Sequence, residues 1–143
     1  VNAFLLADLP ATPAQLADAI SVPSIGWDMS YQATIAGQAG NPEKMREYLD
    51  FQATHFVHPE FLLRTEMKEN DAGPYLTGSA AFIQNLLLGA GGFRWREGGL
   101  TQIVPACLPA GISRITFPRL EWHEKAYAVE ITRAKGVEVT PMS

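Results

Sequence analysis

The chain has 143 residues, 47% hydrophobic and 18% charged, with a net charge of -4 at pH 7, a globular composition long enough for one ordinary domain or two small ones. Its eleven Lys and Arg are scattered and form no basic cluster, which argues against a nucleic-acid partner, and no run approaches the roughly 18 apolar residues of a membrane span. A single cysteine, Cys107, rules out an internal disulfide framework and a cysteine-based zinc cluster.

In chain order, residues 1–9 form an apolar run without a polar face, which suits a buried helix end. The chain opens on Val1, with nothing before that run that reads as a signal peptide, and is expected to be cut from something longer. Thr12 is placed to cap a helix from Pro13 to Ile20. Ser24 to Met29 is a loop in which Asp28 can cap the next helix. Met29 to Ala39 reads as helix, stopped by Gly40-Asn41-Pro42. Asn41 then caps a second helix with Pro42 in its first position and Met45, Tyr48, Leu49, Gln52 and Phe56 at helical spacing. Phe61 to Tyr75 is irregular, with Asn70, Asp71, Gly73 and Pro74 as loop formers. Thr77-Gly78-Ser79 opens an apolar helix over Ala80–Gly89, expected to be central and buried.

After the glycines at 89, 91 and 92 the pattern changes to short alternating runs. Phe93–Arg96 and Leu100–Val104 flank a hairpin-like turn at Glu97-Gly98-Gly99. A proline-rich connector covers Pro105–Gly111. Strands are then expected over Arg114–Phe117, Arg119–His123, Tyr127–Arg133 and Val137–Thr140. The class is α+β, helical to about residue 90 and β from about 93. Neither half alone buries its apolar faces, as expected of a fragment of a larger chain.

Chemistry concentrates in the irregular segment. Glu66 lies on a loop between two apolar helices, where a catalytic carboxylate can sit. The plainer alternative makes Glu66, Glu69 and Asp71 solvated loop charges. His55 and His58, three apart at a helix end, lack a third ligand at helical spacing, so no metal is expected. Trp27, on a loop at a helix start, is a better platform for a sugar ring than Trp95 or Trp122, which lie in alternating strands and suit sheet packing. The turn at Thr77 either caps its own helix or offers free backbone N–H groups to an anion or hydroxyl.

The run Tyr75-Leu76-Thr77-Gly78-Ser79-Ala80-Ala81-Phe82-Ile83-Gln84, continued by Leu88-Gly89-Ala90-Gly91-Gly92-Phe93-Arg94, resembles a block in the acid trehalase and collagen-glucosyl-hydroxylysine glucosidase branch of glycoside hydrolase family 65. Gly26-Trp27-Asp28-Met29-Ser30 loosely resembles that family's loop before a barrel helix. Pro105-Ala106-Cys107-Leu108-Pro109 and Leu120-Glu121-Trp122-His123 resemble its β-domain pattern. Small residues at 79–81 depart from the family's triplet but keep close helix packing.

The resemblance implies the last helices of an (α/α)6 barrel over residues 1–92 and a small antiparallel β domain over 93–143. It implies inverting hydrolysis of an α-linked glucose disaccharide or glucoside, most of all trehalose, without a cofactor. Glu66, eleven residues before Thr77, matches the general base. Trp27, Asp28 and Thr77 would line the substrate site. The general acid would come from the remainder of the same enzyme, upstream. Relatives of this kind slightly favour an extracellular or periplasmic setting. Two alternatives stand beside it: a family 65 disaccharide phosphorylase, disfavoured because Glu66 would repel phosphate, and a non-catalytic carbohydrate-binding or structural module.

Overall fold

A computed structural model describes residues 29–58, 60, 62–65, 75–122 and 124–142. Among these the chain is α+β: three α-helices, one of them extended by a π-helical stretch, and two small antiparallel sheets. Helix α1 spans Met29–Gln38 and α2 spans Pro42–His55. Helix α3, Leu76–Gln84, runs without a break into the π segment Asn85–Ala90, because Asn85 keeps right-handed helical dihedrals. Strands β1 (Phe93–Arg96) and β2 (Gly99–Gln102) form a hairpin, and β3 (Arg114–Trp122), β4 (Lys125–Thr132) and β5 (Gly136–Met142) form a meander.

The central helix is α1, in which every residue from Gln32 to Gln38 is buried. Its small residues Ala33, Ala36 and Gly37 let neighbours approach from all sides. A Cβ on Gly37 would lie 2.7 Å from the Gly89 carbonyl oxygen, and one on Gly89 would lie 2.9 Å from Thr34 Cα. The two backbones are therefore in direct contact. The α1–α2 corner is set by its sequence. Gly40 takes a positive φ of 72°, Asn41 N–H bonds to the Ala36 carbonyl and Gly40 N–H to that of Gly37, the paired bonds of a Schellman stop. The Asn41 side chain then accepts from Lys44 N–H at 2.9 Å and caps α2.

The helix at 76–90 differs from the expected one. Its π half is buried, but Leu76 and Ile83 are 73% and 57% exposed. Apolar residues lie on both the exposed and the inward faces of α3, and only Gly78 and Ala81 of that helix are buried. The two expected strands at 114–117 and 119–123 join into one, β3. The ladder to β4 skips between Phe117 and Leu120, where Pro118 has no N–H to offer it.

One apolar core links helices and sheets. Ala33, Met45, Leu49, Leu87, Leu88, Phe93, Leu108, Val129 and Ile131 belong to the same buried cluster. Trp95 of β1 stacks on Trp122 of β3 with centroids 4.4 Å apart, joining the two sheets. The connector 103–113 is tied down by backbone bonds: Ile103 N–H to Gly92, Cys107 N–H to Ala90 and Ala110 N–H to Pro42.

Because the contact at Gly89 is backbone to backbone, it has no flexible side chain to give way. Gly89→Ala is expected to cost about 1–3 kcal/mol in urea unfolding. Gly98→Ala, whose added Cβ meets nothing within 4 Å, should stay within about 0.5 kcal/mol of the parent.

Candidate functional site

The site is built around the start of α3. Tyr75 precedes the helix and its N–H donates to the Arg64 carbonyl at 2.8 Å. Arg64 in turn pairs with Val57 in an isolated antiparallel bridge, and Thr65 N–H donates to Phe56. These bonds hold Arg64 and Thr65 against the end of α2 and bring Tyr75 alongside. Thr65 and Tyr75 are the described residues on either side of 66–74.

Gly78 is required here by the ring of Tyr75. A Cβ at 78 would fall 2.3 Å from the ring edge. With Tyr75 packed on Gly78, Thr77 is left exposed on the surface of the turn. The hydroxyl of Ser79 donates back to the Tyr75 carbonyl at 3.2 Å, and no side chain caps the helix. Capping by Thr77 or Ser79 is therefore not what the structure contains. The first N–H groups of α3 have no side-chain acceptor among the described residues, and they carry the partial positive charge of a helix N-terminus.

The Arg64 backbone meets Tyr75, while its side-chain charge lies on Phe82, in the second turn of α3. Its guanidinium carbon lies 5.1 Å from the centroid of Phe82, over the ring. Its Nε is buried without a hydrogen-bond partner, and no carboxylate forms an ion pair with it among the described residues. Burial pulls the guanidinium down from its ordinary value, with Tyr75 opposing. Arg64 is thus a half-buried cation beside α3, and Thr77 is exposed at the helix start.

Of the residues singled out from the sequence, Thr77 is in this turn. Glu66, Trp27 and Asp28 lie outside the described residues. His55 stacks on Phe51 at 3.8 Å and its Nδ1 lies 2.9 Å from the Thr54 hydroxyl. His58 Nδ1 accepts from Glu60 N–H at 3.3 Å. Among the described residues no group of three or more His, Cys, Asp or Glu could hold a metal ion. Trp95 and Trp122 pack on each other, as their strand positions suggested.

Sequence reasoning missed Arg64. Its only signal was an isolated cation closing the aliphatic run Phe61-Leu62-Leu63. It also missed the buried polar groups at the far end of the same helix, α3 with its π segment. Gln38 Nε2 donates to the Leu88 carbonyl at 3.1 Å. Its Oε1 accepts from Nη2 of Arg94, only 4% exposed, at 2.7 Å.

Two cavities lie elsewhere. One of about 620 Å³ is lined by Gln38, Gly40, Cys107, Leu108, Thr132 and Arg133. Burial pushes the Cys107 thiol up from its ordinary value, against the pull of Arg133. The other, about 430 Å³, lies between α2, the Phe82–Leu86 stretch and the start of β3. Neither includes Thr77 or Arg64 in its lining.

Neither a family model nor a curated protein matches the sequence. Among solved structures, the chain is similar to one described as "Putative kojibiose phosphorylase from human microbiome". The TM-score is 0.68 at 15% sequence identity, over 99% of this chain and 19% of that one. The chain thus spans about a fifth of the length of the solved structure it matches, and the likeness is one of fold.

The burial of Arg64 has a consequence for stability. A half-buried cation with no counter-ion among the described residues should not stabilise the fold. Arg64→Met, which keeps the contact with Phe82, is expected to hold or raise the urea midpoint. A fall would mean that the contact between guanidinium and ring outweighs the burial of the charge.

Proposed function

We propose that the chain is the carboxy-terminal part of an inverting α-glucoside hydrolase of the glycoside hydrolase family 65 kind, with trehalose as its first candidate substrate. The reading places barrel helices in residues 1–92 and the accessory β domain in 93–143. What carries it is the bond from Tyr75 N–H to the Arg64 carbonyl, which puts the residue two before Glu66 beside the turn that opens α3. A carboxylate anchored there can work next to the exposed Thr77 and the free N–H groups, which would receive sugar hydroxyls. Trp27 and Asp28 complete the proposed lining from the upstream loop. The likeness in fold to a protein described as a kojibiose phosphorylase supports the broader part of the reading, a glycoside-processing enzyme.

In the proposed reaction, ionised Glu66 takes a proton from a water. The water oxygen attacks the anomeric carbon from the face opposite the leaving group. An acid from the remainder of the enzyme protonates the departing oxygen as the glycosidic bond breaks. Inversion by this route sets the two carboxyl groups about 6.5–9.5 Å apart, leaving room for the water. Base catalysis of this kind contributes about 10²–10⁴-fold.

A second reading has an observation of its own. Among the described residues the α3 N-terminus has no side-chain cap and Arg64 no carboxylate partner, and each is a feature that would suit a phosphate. Phosphate would then replace water as the nucleophile, and the product would be glucose 1-phosphate.

One set of assays on the complete enzyme separates them. With trehalose or kojibiose as substrate, hydrolysis predicts free glucose only, independent of added phosphate. Glu66→Gln should then lower kcat about 10²–10⁴-fold with little change in KM. Release of glucose 1-phosphate that requires phosphate, and that survives Glu66→Gln, would replace the hydrolase reading with the phosphorylase one.

A further inference from the structure

The register of α3 poses a problem that its apolar residues cannot solve. Leu76, Ala80 and Ile83 are exposed, while Ala81 and half-buried Phe82 face inward. A helix with aliphatic groups on its exposed face can turn by one residue towards them, here Leu76 and Ile83, and still bring apolar side chains to the core. The adjoining π segment makes such a turn accessible. A π-helix holds one more residue in its turn than an α-helix does. Reverting it to α geometry would shift α3 by about 1.5 Å along its axis and rotate it by about 100°.

Asn85 sits at the junction where α3 gives way to the π segment, and it is 0% exposed. Its Oδ1 accepts both from Thr34 N–H at 3.1 Å and from the Thr34 hydroxyl at 2.7 Å. Its Nδ2 donates to Oε1 of Gln52 at 3.3 Å. Gln52 is itself 1% exposed. One side chain therefore ties the helix to α1 and to α2 at once, through bonds whose directions are fixed. A slip by one residue would break all three and leave Thr34, Gln52 and Asn85 buried with polar atoms unmatched. A buried polar residue in an otherwise apolar seam is a known way to fix register.

We infer that Asn85 is a positioning residue: it sets the register of α3, and through it the place of the Thr77-Gly78-Ser79 turn. Thr77 lies eight positions before Asn85, about 12 Å along the helix. Between them only Gly78 and Ala81 are buried, so the turn projects from a base that Asn85 holds. The structural half of the inference concerns the helix alone. The functional half rests on the proposed function, in which the turn meets the substrate.

The test replaces together the three side chains that bond to one another. The triple variant Thr34→Val, Gln52→Leu, Asn85→Leu exchanges polar for apolar groups of similar size, which is close to neutral for stability. In the complete enzyme lacking other reactive thiols and carrying Cys107→Ser, nitroxide labels are placed at Glu47→Cys on α2 and Ile83→Cys on α3, both exposed. The parent should give one narrow inter-label distance. The triple variant should give a broadened or two-peaked distribution, together with at least a tenfold loss of kcat/KM on the α-glucoside. A single unchanged distance in a folded triple variant overturns the inference, because apolar packing would then suffice to set the register. A changed distance with unchanged kcat/KM upholds the register role and instead removes the Thr77 turn from the substrate site. If the triple variant fails to fold, Thr34→Val alone, which removes the shortest bond to Asn85, is read by the same two measurements.

Discussion

The contact between the backbones of Gly37 and Gly89 sets the distance on which everything around α1 depends. With no side chain between them, α1 and the π segment lie close enough for Thr34 to reach Asn85 and for Gln38 to reach the Leu88 carbonyl. The same proximity seats Met45 of α2, whose Sδ and Cε atoms would touch a Cβ added at Gly37 or Gly89. The π segment then delivers Phe93 and Arg94 to the start of the β hairpin, and its end is held by the connector through Cys107 N–H. Helices and sheets share one core because this contact puts the end of the helical part directly against Val129 and Ile131.

A close backbone seam leaves little room for large apolar side chains, and polar groups fill the remaining contacts. Gln32, Thr34, Gln38, Gln52, Asn85 and Arg94 are all buried. Such groups are costly unless their partners are met. Asn85 meets Thr34 and Gln52, and Gln38 bridges Arg94 to the π segment. The directional bonds help to specify one arrangement of these helices. Specificity of packing here comes from hydrogen bonds, and bulk stability from the aliphatic cluster beside them.

This division explains what could be read from the sequence. The Gly40-Asn41-Pro42 stop and cap, the face of α2 bearing Met45, Leu49 and Gln52, and the hairpin turn before Gly99 obey local rules, and each was legible. The burial of α1 was not, because Met29–Gln38 holds glutamines and a threonine whose partners lie some fifty residues away. The half-exposed state of α3 was illegible for the opposite reason. A run as apolar as Leu76–Ala90 reads as buried throughout, and nothing local separates its anchored half from its projecting half. At the candidate site, the Thr77 turn was found through its helix-opening pattern. Arg64 was overlooked because its significance comes from Tyr75 and Phe82, which fold back onto it.

The electrostatics of the α3 turn bear on which nucleophile it favours. The helix N-terminus and Arg64 both attract negative charge, and neither has an acidic partner among the described residues. A general base must itself be negative when it acts, so a carboxylate at 66 would be the group that this positive environment stabilises in its ionised form. The same environment accepts phosphate only if that carboxylate is absent, neutral or turned away, since two anions cannot share one cationic spot without large repulsion. On the proposed function, water and phosphate would be exclusive uses of one place, and a carboxylate there would decide between them. On that proposal, an Arg64 without a carboxylate partner among the described residues is consistent with either anion.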